Sequence, residues 1–245
     1  MFAVIIFTAV AVAPYITGMP GSPRPIRPRG PASFANPHLL NSVVVPLVGI
    51  AIVAYLLGSI PTGYLIYRIF RREDIRSKGS GNIGATNVLR ATGWTVGVLT
   101  LLLDIVKGYV AVWAAGRLTG GEVRWMAVAA VVVMLGHAYP VFLGFRGGKA
   151  VASFVGAFLC LTPLALTAVL VVFVGVVAWT RYISMGSIVA AAVFPLAVWL
   201  IAVPVWPVEA ASVIAAGLII YKHSSNIQRL RAGTESKFIF GAKKP

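Results

Sequence analysis

The chain has 245 residues, 59% of them hydrophobic and only 11% charged, with a mean hydropathy of +0.90; a soluble domain carries about 25% charged residues, so an ordinary water-soluble core is excluded. A net charge of +15 would suggest nucleic acid in a soluble protein, but here Lys and Arg stand between apolar runs. In that position they set topology and meet anionic lipids or phosphorylated substrates, so nucleic acid is excluded as the partner. The single Cys160 lies in an apolar run, so neither a disulfide within the chain nor a cysteine-built zinc or redox site can form, and no metal or cofactor is expected.

Residues 1–42 open the chain as an extension. Met1–Ile16 is apolar without the positive start of a secretory signal, and 21–31 is a Pro/Gly/Arg tract that cannot be helical. This extension reads either as an extra anchor or as an upstream start or dispensable leader. Apolar runs then recur at 43–67, 93–116, 123–142, 150–161, 163–179, 184–203 and 208–222. A run of about 20 residues crosses a hydrocarbon layer of about 30 Å at about 1.5 Å per residue. The expected fold is an all-α integral membrane domain over 43–240 with seven transmembrane helices, followed by a short tail at 241–245. The fourth span is short, and Pro163 opens its neighbour at a first helical position that needs no N–H donor.

Basic residues fall on alternate sides of these spans. Arg68, Arg71, Arg72, Arg76, Lys78 and Arg90 follow the first, Arg146 and Lys149 the third, Arg181 the fifth, and Lys222, Arg229, Arg231 and Lys237 the last. The opposite connections carry little beyond Arg117 and Arg124. The positive-inside rule therefore puts the N terminus outside, the C terminus in the cytoplasm and the polar site at the cytoplasmic face.

Three loops on that face carry the polar chemistry. The first runs from Lys78 to Arg90: Gly79, Gly81 and Gly84 let backbone N–H groups approach an anion, and a helix beginning near Ile83 adds its positive end. Ser80, Asn82, Thr86 and Asn87 supply neutral hydrogen bonds, and Arg90 a planar fork suited to phosphate. The loop is a phosphate cradle, or else a turn that caps an interfacial helix. The second runs from Gly136 to Lys149, where Gly147 and Gly148 precede a helix and Lys149 adds a cation. His137 is either a base or a hydrogen-bonded histidine closing its span.

In the third, His223 and Asn226 lie three residues apart on one face if the helix continues, with Leu230 beyond them. Arg229 and Arg231 read as lipid-facing anchors or topology signals, or one of them reaches the site, and Glu235 reads as half of a structural ion pair, a loop cap or an orienter of a cation. Asp104 and Lys107 share a face inside the second span, where they neutralise each other or close the inner end of the site. Arg181, Ser184 and Ser187 mark another helix entry able to meet a phosphate, or an interfacial Arg before a helix cap.

Together the ordered segments Gly-Ser-Gly-Asn-Ile-Gly-Ala-Thr-Asn-Val-Leu-Arg at 79–90, Gly-His-x-x-Pro with Gly-Gly-Lys at 136–149, and His-x-x-Asn-Ile-x-Arg-Leu at 223–230 resemble the membrane glycerol-3-phosphate acyltransferases of the PlsY type, which use acyl phosphate as donor. The resemblance implies a monomeric seven-helix enzyme of the bacterial cytoplasmic membrane that starts phospholipid synthesis. Acyl phosphate and glycerol 3-phosphate would give 1-acyl-glycerol 3-phosphate and phosphate, without an acyl-enzyme. Carried onto this chain, it makes Ser80, Lys149, His223 and Asn226 catalytic. The remaining loop residues, with Lys107, His137, Arg181, Ser184, Ser187 and Glu235, would bind substrate. Ala150 and Ser224 depart from the family pattern, which more often has Gly and Arg there. No His is followed four residues later by Asp, so the acyl-CoA class is disfavoured. An organic-anion transporter is the main alternative, although the polar residues gather at one face and leave the span interiors with little to line a pathway.

Overall fold

The structure, a computed structural model, describes residues 37–202 and 205–238, with side chains described from residue 48. Of the extension at 1–42, residues 1–36 lie outside the described residues and 37–42 belong to the first helix; the tail at 241–245 also lies outside them. Every regular element among the described residues is helical. In chain order these are α1 (Pro37–Ser59), α2 (Thr62–Arg71), α3 (Ala85–Thr92), α4 (Trp94–Leu118), α5 (Val123–Ala138), α6 (Val151–Leu161), α7 (Pro163–Thr180), α8 (Ile183–Ile201), α9 (Trp206–Lys222) and α10 (Ser224–Arg231). Short 3-10 turns occupy Ile75–Ser77 and Val141–Leu143. The chain from Gly49 onward is one compact unit; of the unit before it, Met1–Val48, only the α1 backbone from Pro37 is described.

Among the described residues, five stretches are long and apolar enough to cross a membrane: Val48–Arg71, Trp94–Leu118, Val123–Leu143, Pro163–Thr180 and Ile183–Ile201. The first is not the unbroken span expected at 43–67, because α1 ends at Ser59 and α2 starts at Thr62. Pro61 has no N–H to offer the Leu57 carbonyl, which accepts from the Ile60 N–H at 3.3 Å instead. At this break the Ile60 carbonyl accepts from both the Thr62 N–H at 3.0 Å and Lys107 Nζ of α4 at 2.9 Å. The break thus supplies an acceptor at membrane depth, where a lysine needs one.

Helix α6, expected to be short, spans only Val151–Leu161. Its position is set by α4, along a seam of small residues. A Cβ on Gly108 would lie 2.2 Å from the Ser153 carbonyl oxygen, and one on Gly156 only 1.8 Å from that of Ile105. Glycine lets the two backbones touch there, as in close helix pairs within lipid. On its other side α6 packs Phe154 and Phe158 against Phe194 of α8, with ring centroids 4.8 and 4.7 Å apart in edge-to-face pairs.

Polar and apolar residues are distributed inversely to a soluble bundle. Ser59, Thr100, Asp104, Lys107, His137, Ser153 and Ser212 are buried, whereas Leu102, Val171, Trp179, Leu200, Trp206 and Tyr221 face outward. Such an outer surface is stable only against lipid.

Candidate functional site

The loop before α3 is organised from within by Asn87, which is buried. Its Nδ2 donates to the carbonyls of Lys78 (3.0 Å) and Asn82 (2.9 Å), and its Oδ1 accepts from the Ser80 N–H (3.1 Å). All its donors are spent, so Asn87, expected to bind substrate, holds the loop's shape instead. Gly79 (φ +55°) and Gly81 (φ +70°) turn through the left-handed region around it, and a Cβ on Gly79 would meet Asn87 Oδ1 at 2.4 Å. Asn82 Oδ1 accepts from the Gly84 N–H at 2.8 Å, which fixes the entry to α3 at Ala85, two residues later than expected. Ser80 in the loop is left exposed, as is Arg90 on α3. Tyr67, Arg71, Glu73, Lys78, Gly79, Asn87, Arg90 and Ala91 line a cleft of about 350 Å³, in which Lys78 pairs with Glu73 at 2.9 Å.

The second loop rests on His137. The His137 carbonyl accepts from the Gly148 N–H at 3.1 Å, and a Cβ on Gly148 would lie 2.2 Å from His137 Nε2. On the inner side, His137 Nδ1 is 3.1 Å from Ser153 Oγ and 3.5 Å from Asp104 Oδ1. Asp104 also accepts from Thr62 Oγ1 at 2.5 Å and pairs with Lys107 at 2.7 Å, as the shared helical face predicted. Lys107 and His137 are therefore buried in a protein network and present no free face to a ligand. Ala150, where glycine was noted as the commoner residue, sits at φ +59° as the residue before α6, a conformation a side chain tolerates only at a cost of roughly 1–2 kcal/mol.

The third group converges on Glu235. Its Oε1 accepts from Ser184 Oγ (2.7 Å) and Asn226 Nδ2 (2.6 Å), and its Oε2 from Arg229 Nε (2.7 Å). The expected ion pair exists, and its cation is Arg229, which is the arginine that reaches the site rather than facing lipid. Burial would raise the Glu235 carboxyl, but these three hydrogen bonds outweigh it and hold the pKa below the usual range. The segment carrying Glu235 continues across the site: the Ser236 carbonyl accepts from Arg90 at 3.2 Å and the Phe238 N–H donates to the Arg181 carbonyl at 2.6 Å. Ser184 therefore spends its hydroxyl on Glu235. Ser187 donates to the Ile183 carbonyl and lines an apolar crevice rather than a charged one.

The helix does not continue through His223. Helix α9 stops at Lys222 and α10 starts at Ser224, yet His223 and Asn226 are both buried, as one shared face would require. His223 Nδ1–H donates to the Ile219 carbonyl at 2.7 Å. Burial, reinforced by the Lys149 charge, pushes the imidazole pKa down to about 4, so the ring is neutral near pH 7 and its Nε2 is a hydrogen-bond acceptor. Burial likewise lowers Lys149 to about 8, with Glu235 opposing this shift and Arg229 and Arg90 adding to it. Lys149, Arg90, Arg229, His223 and Glu235 thus share one electrostatic neighbourhood, although they come from separate parts of the chain. Asn226 Oδ1 is buried there with no hydrogen-bond partner. An orphaned buried acceptor costs about 1–3 kcal/mol.

Just past Lys149, Val151, Phe154, Val155, Leu170, Phe173 and Ala190 line a narrow apolar crevice of about 20 Å³. The cluster of cations and hydrogen-bond donors is thus followed directly along the chain by an apolar lining. Sequence reasoning did not find Thr62, Ser153 or the Ile60 and Ser236 carbonyls. Only Ser153, in the first turn of the helix that follows Lys149, left any trace in the spacing.

Comparison with known proteins matches this arrangement. The family model described as glycerol-3-phosphate acyltransferase matches residues 48–233. The glycerol-3-phosphate acyltransferase of Geobacter sulfurreducens is 50% identical over 201 residues, 82% of this chain and 99% of that protein. That of Trichlorobacter lovleyi is 50% identical over 188 residues, 76% of this chain and 94% of its own length. The crystal structure of PlsY, an integral membrane glycerol 3-phosphate acyltransferase in its glycerol 3-phosphate form, superposes with a TM-score of 0.74 at 38% identity. That alignment covers 79% of this chain and 96% of PlsY. With the family model spanning most of the described helices, this chain belongs to the glycerol-3-phosphate acyltransferase family, with PlsY as its structural relative.

Proposed function

We propose that the protein transfers an acyl group from acyl phosphate to the 1-hydroxyl of glycerol 3-phosphate. The glycerol oxygen attacks the acyl carbon, its bond to that carbon forms as the acyl–oxygen bond to phosphate breaks, and 1-acyl-glycerol 3-phosphate (lysophosphatidic acid) and inorganic phosphate leave. The observation that carries this reading is the orphaned Asn226 Oδ1, a buried acceptor for a substrate hydroxyl, beside a cluster of phosphate-binding cations.

A mixed anhydride brings its own good leaving group, so positioning and charge neutralisation suffice and no acyl-enzyme is needed. Lys149 and the N–H groups of the Gly147-Gly148 loop hold the leaving phosphate. Arg90 and Ser80 hold the acceptor phosphate, with Gly79, Gly81, Asn82, Gly84 and Thr86 shaping that cradle and Asn87 bracing it. Asn226 and His223 Nε2 receive the attacking hydroxyl. An imidazole with a pKa of about 4 is too weak a base to drive the reaction. The hydroxyl proton therefore passes to a phosphate oxygen. The acyl chain runs toward the apolar crevice beyond Val151, whose lining suits a hydrocarbon.

The same reading places the chain as a monomer in the bacterial cytoplasmic membrane, with seven spans, N terminus outside and C terminus inside. It counts α6 and α9 as spans besides the five longer stretches. The convergence of Arg90, Lys149, Ser184, Asn226 and Glu235 supports it, because all of them lie at the helix ends that charge asymmetry assigns to the cytoplasm. The direct-transfer step is tested with palmitoyl phosphate alone. Purified protein is expected to release no burst of phosphate until glycerol 3-phosphate is added, and a stoichiometric burst would establish an acyl-enzyme instead.

A further inference from the structure

We propose that Asp104 is a positioning residue for the Gly147-Gly148-Lys149 loop, acting through His137, with Thr62, Lys107 and Ser153 fixing its geometry; this rests on the reading of that loop as the donor-phosphate site. The chain of contacts is continuous. Thr62 Oγ1 (2.5 Å), Lys107 Nζ (2.7 Å) and His137 Nδ1 (3.5 Å) all surround Asp104 Oδ1. These groups come from α2, α4 and α5, and Ser153 of α6 adds a 3.1 Å contact to the same His137 nitrogen. The imidazole cannot turn away, since Asp104 and His137 are 2% and 5% exposed.

On the opposite edge of the ring, Nε2 faces the backbone of Gly148 so closely that no Cβ would fit, and the His137 carbonyl holds the Gly148 N–H at 3.1 Å. A Cβ on Gly147 would also strike that carbonyl, at 2.2 Å. Lys149 follows directly, with half of its bulk buried beside α6. The loop is therefore pressed onto the histidine, whose Nδ1 meets Ser153 Oγ at 3.1 Å with the Asp104 carboxylate 3.5 Å away.

A buried acid, lysine and histidine at membrane depth are expensive, and simple stability would be served as well by apolar residues. What apolar residues could not supply is direction. A carboxylate contact selects one ring orientation, as outer-shell carboxylates do for ligating histidines at metal centres, and a loop resting on that ring inherits the selection. Lys149 itself touches none of these groups in the hydrogen bonds described, so the influence runs through the Gly148 backbone.

The test compares Asp104→Asn, Ser153→Ala, His137→Ala, Gly148→Ala and the double variant His137→Ala/Gly148→Ala in lipid nanodiscs. Asp104→Asn is expected to raise KM for palmitoyl phosphate about tenfold while KM for glycerol 3-phosphate moves less than about twofold. Gly148→Ala alone is expected to lose most donor affinity, and to lose much less in the His137→Ala background, because the clashing ring is gone. Amide hydrogen exchange of the 145–150 segment, measured on the same samples without any substrate, is expected to quicken in Asp104→Asn while the 163–180 segment stays protected.

Equal rises in both KM values together with faster exchange everywhere would reduce Asp104 to general stability and overturn the proposal. Additive effects of His137→Ala and Gly148→Ala would overturn it too, as would unchanged exchange at 145–150. If the wild type fails to use palmitoyl phosphate, the donor reading falls by itself, and the exchange result still decides whether Asp104 positions the loop.

Discussion

Asn226 Nδ2 donates to Glu235 Oε1 at 2.6 Å while its own Oδ1 is buried with no partner. One half of the amide is thus anchored to the protein, and the other keeps its acceptor capacity unspent. Glu235→Ala strands Asn226 Nδ2, Ser184 Oγ and Arg229 together, each stranded group costing about 1–3 kcal/mol. Glu235→Gln keeps an oxygen for one of them. We expect Glu235→Ala to lower both the thermal midpoint and turnover by clearly more than Glu235→Gln, as measured by unfolding in detergent and by phosphate release.

Lys149 titrates near pH 8, so its cation is present below that value and is lost above it. The value of kcat/KM for the donor is therefore expected to fall as pH rises through about 8, approaching a tenfold loss per unit. Lys149→Arg, whose guanidinium stays charged, should lack this limb even if its absolute rate is lower. The measurement is a pH profile with donor below saturation. An unchanged limb in the Arg variant would assign it to another group.

For His223 the pKa of about 4 separates two roles. A general base is worth about 10²–10⁴ in rate, whereas an acceptor that only orients a hydroxyl is replaceable by an amide. His223→Gln is expected to keep kcat within about tenfold of wild type, because Gln can accept the same hydrogen bond. A loss of a thousandfold with KM unchanged would return the base to His223.

The seam between α4 and α6 gives a stability prediction. A Cβ at Gly156 would lie 1.8 Å from the Ile105 carbonyl oxygen, whereas none lies within 4 Å at Gly175 in α7. Gly156→Ala must spread the helices and should cost at least about 1–3 kcal/mol. Gly175→Ala should be neutral or stabilise by roughly 0.5–1 kcal/mol, since alanine restricts the chain less unfavourably inside a helix. Thermal unfolding of both variants beside wild type checks the contrast.

What could be read from the residues alone was set by local rules. Hydropathy located the helices because lipid demands long apolar runs, and glycine followed by a cation marked the two loops. The Asp104–Lys107 pair followed from a three-residue spacing on one helical face, and it is present at 2.7 Å. What stayed hidden is long-range. Thr62 meets Asp104 only because Pro61 breaks the first span. Arg229 turns inward only because the chain after α10 folds back to present Glu235. Asn87, chosen for its hydrogen-bonding side chain, exhausts that capacity on its own loop, an outcome no spacing rule distinguishes from ligand binding. Ala150 is the converse case: its departure from the glycine pattern was visible, but the left-handed backbone that makes glycine preferable there was not.

The central claim is transfer from acyl phosphate to glycerol 3-phosphate, and product stoichiometry tests it most directly. Purified protein in nanodiscs, given palmitoyl phosphate and labelled glycerol 3-phosphate, is expected to form labelled 1-palmitoyl-glycerol 3-phosphate and inorganic phosphate in equal amounts, and to form neither from palmitoyl-CoA. Equal or greater product from palmitoyl-CoA, or anion flux across liposomes with no acylated product from either donor, would contradict it.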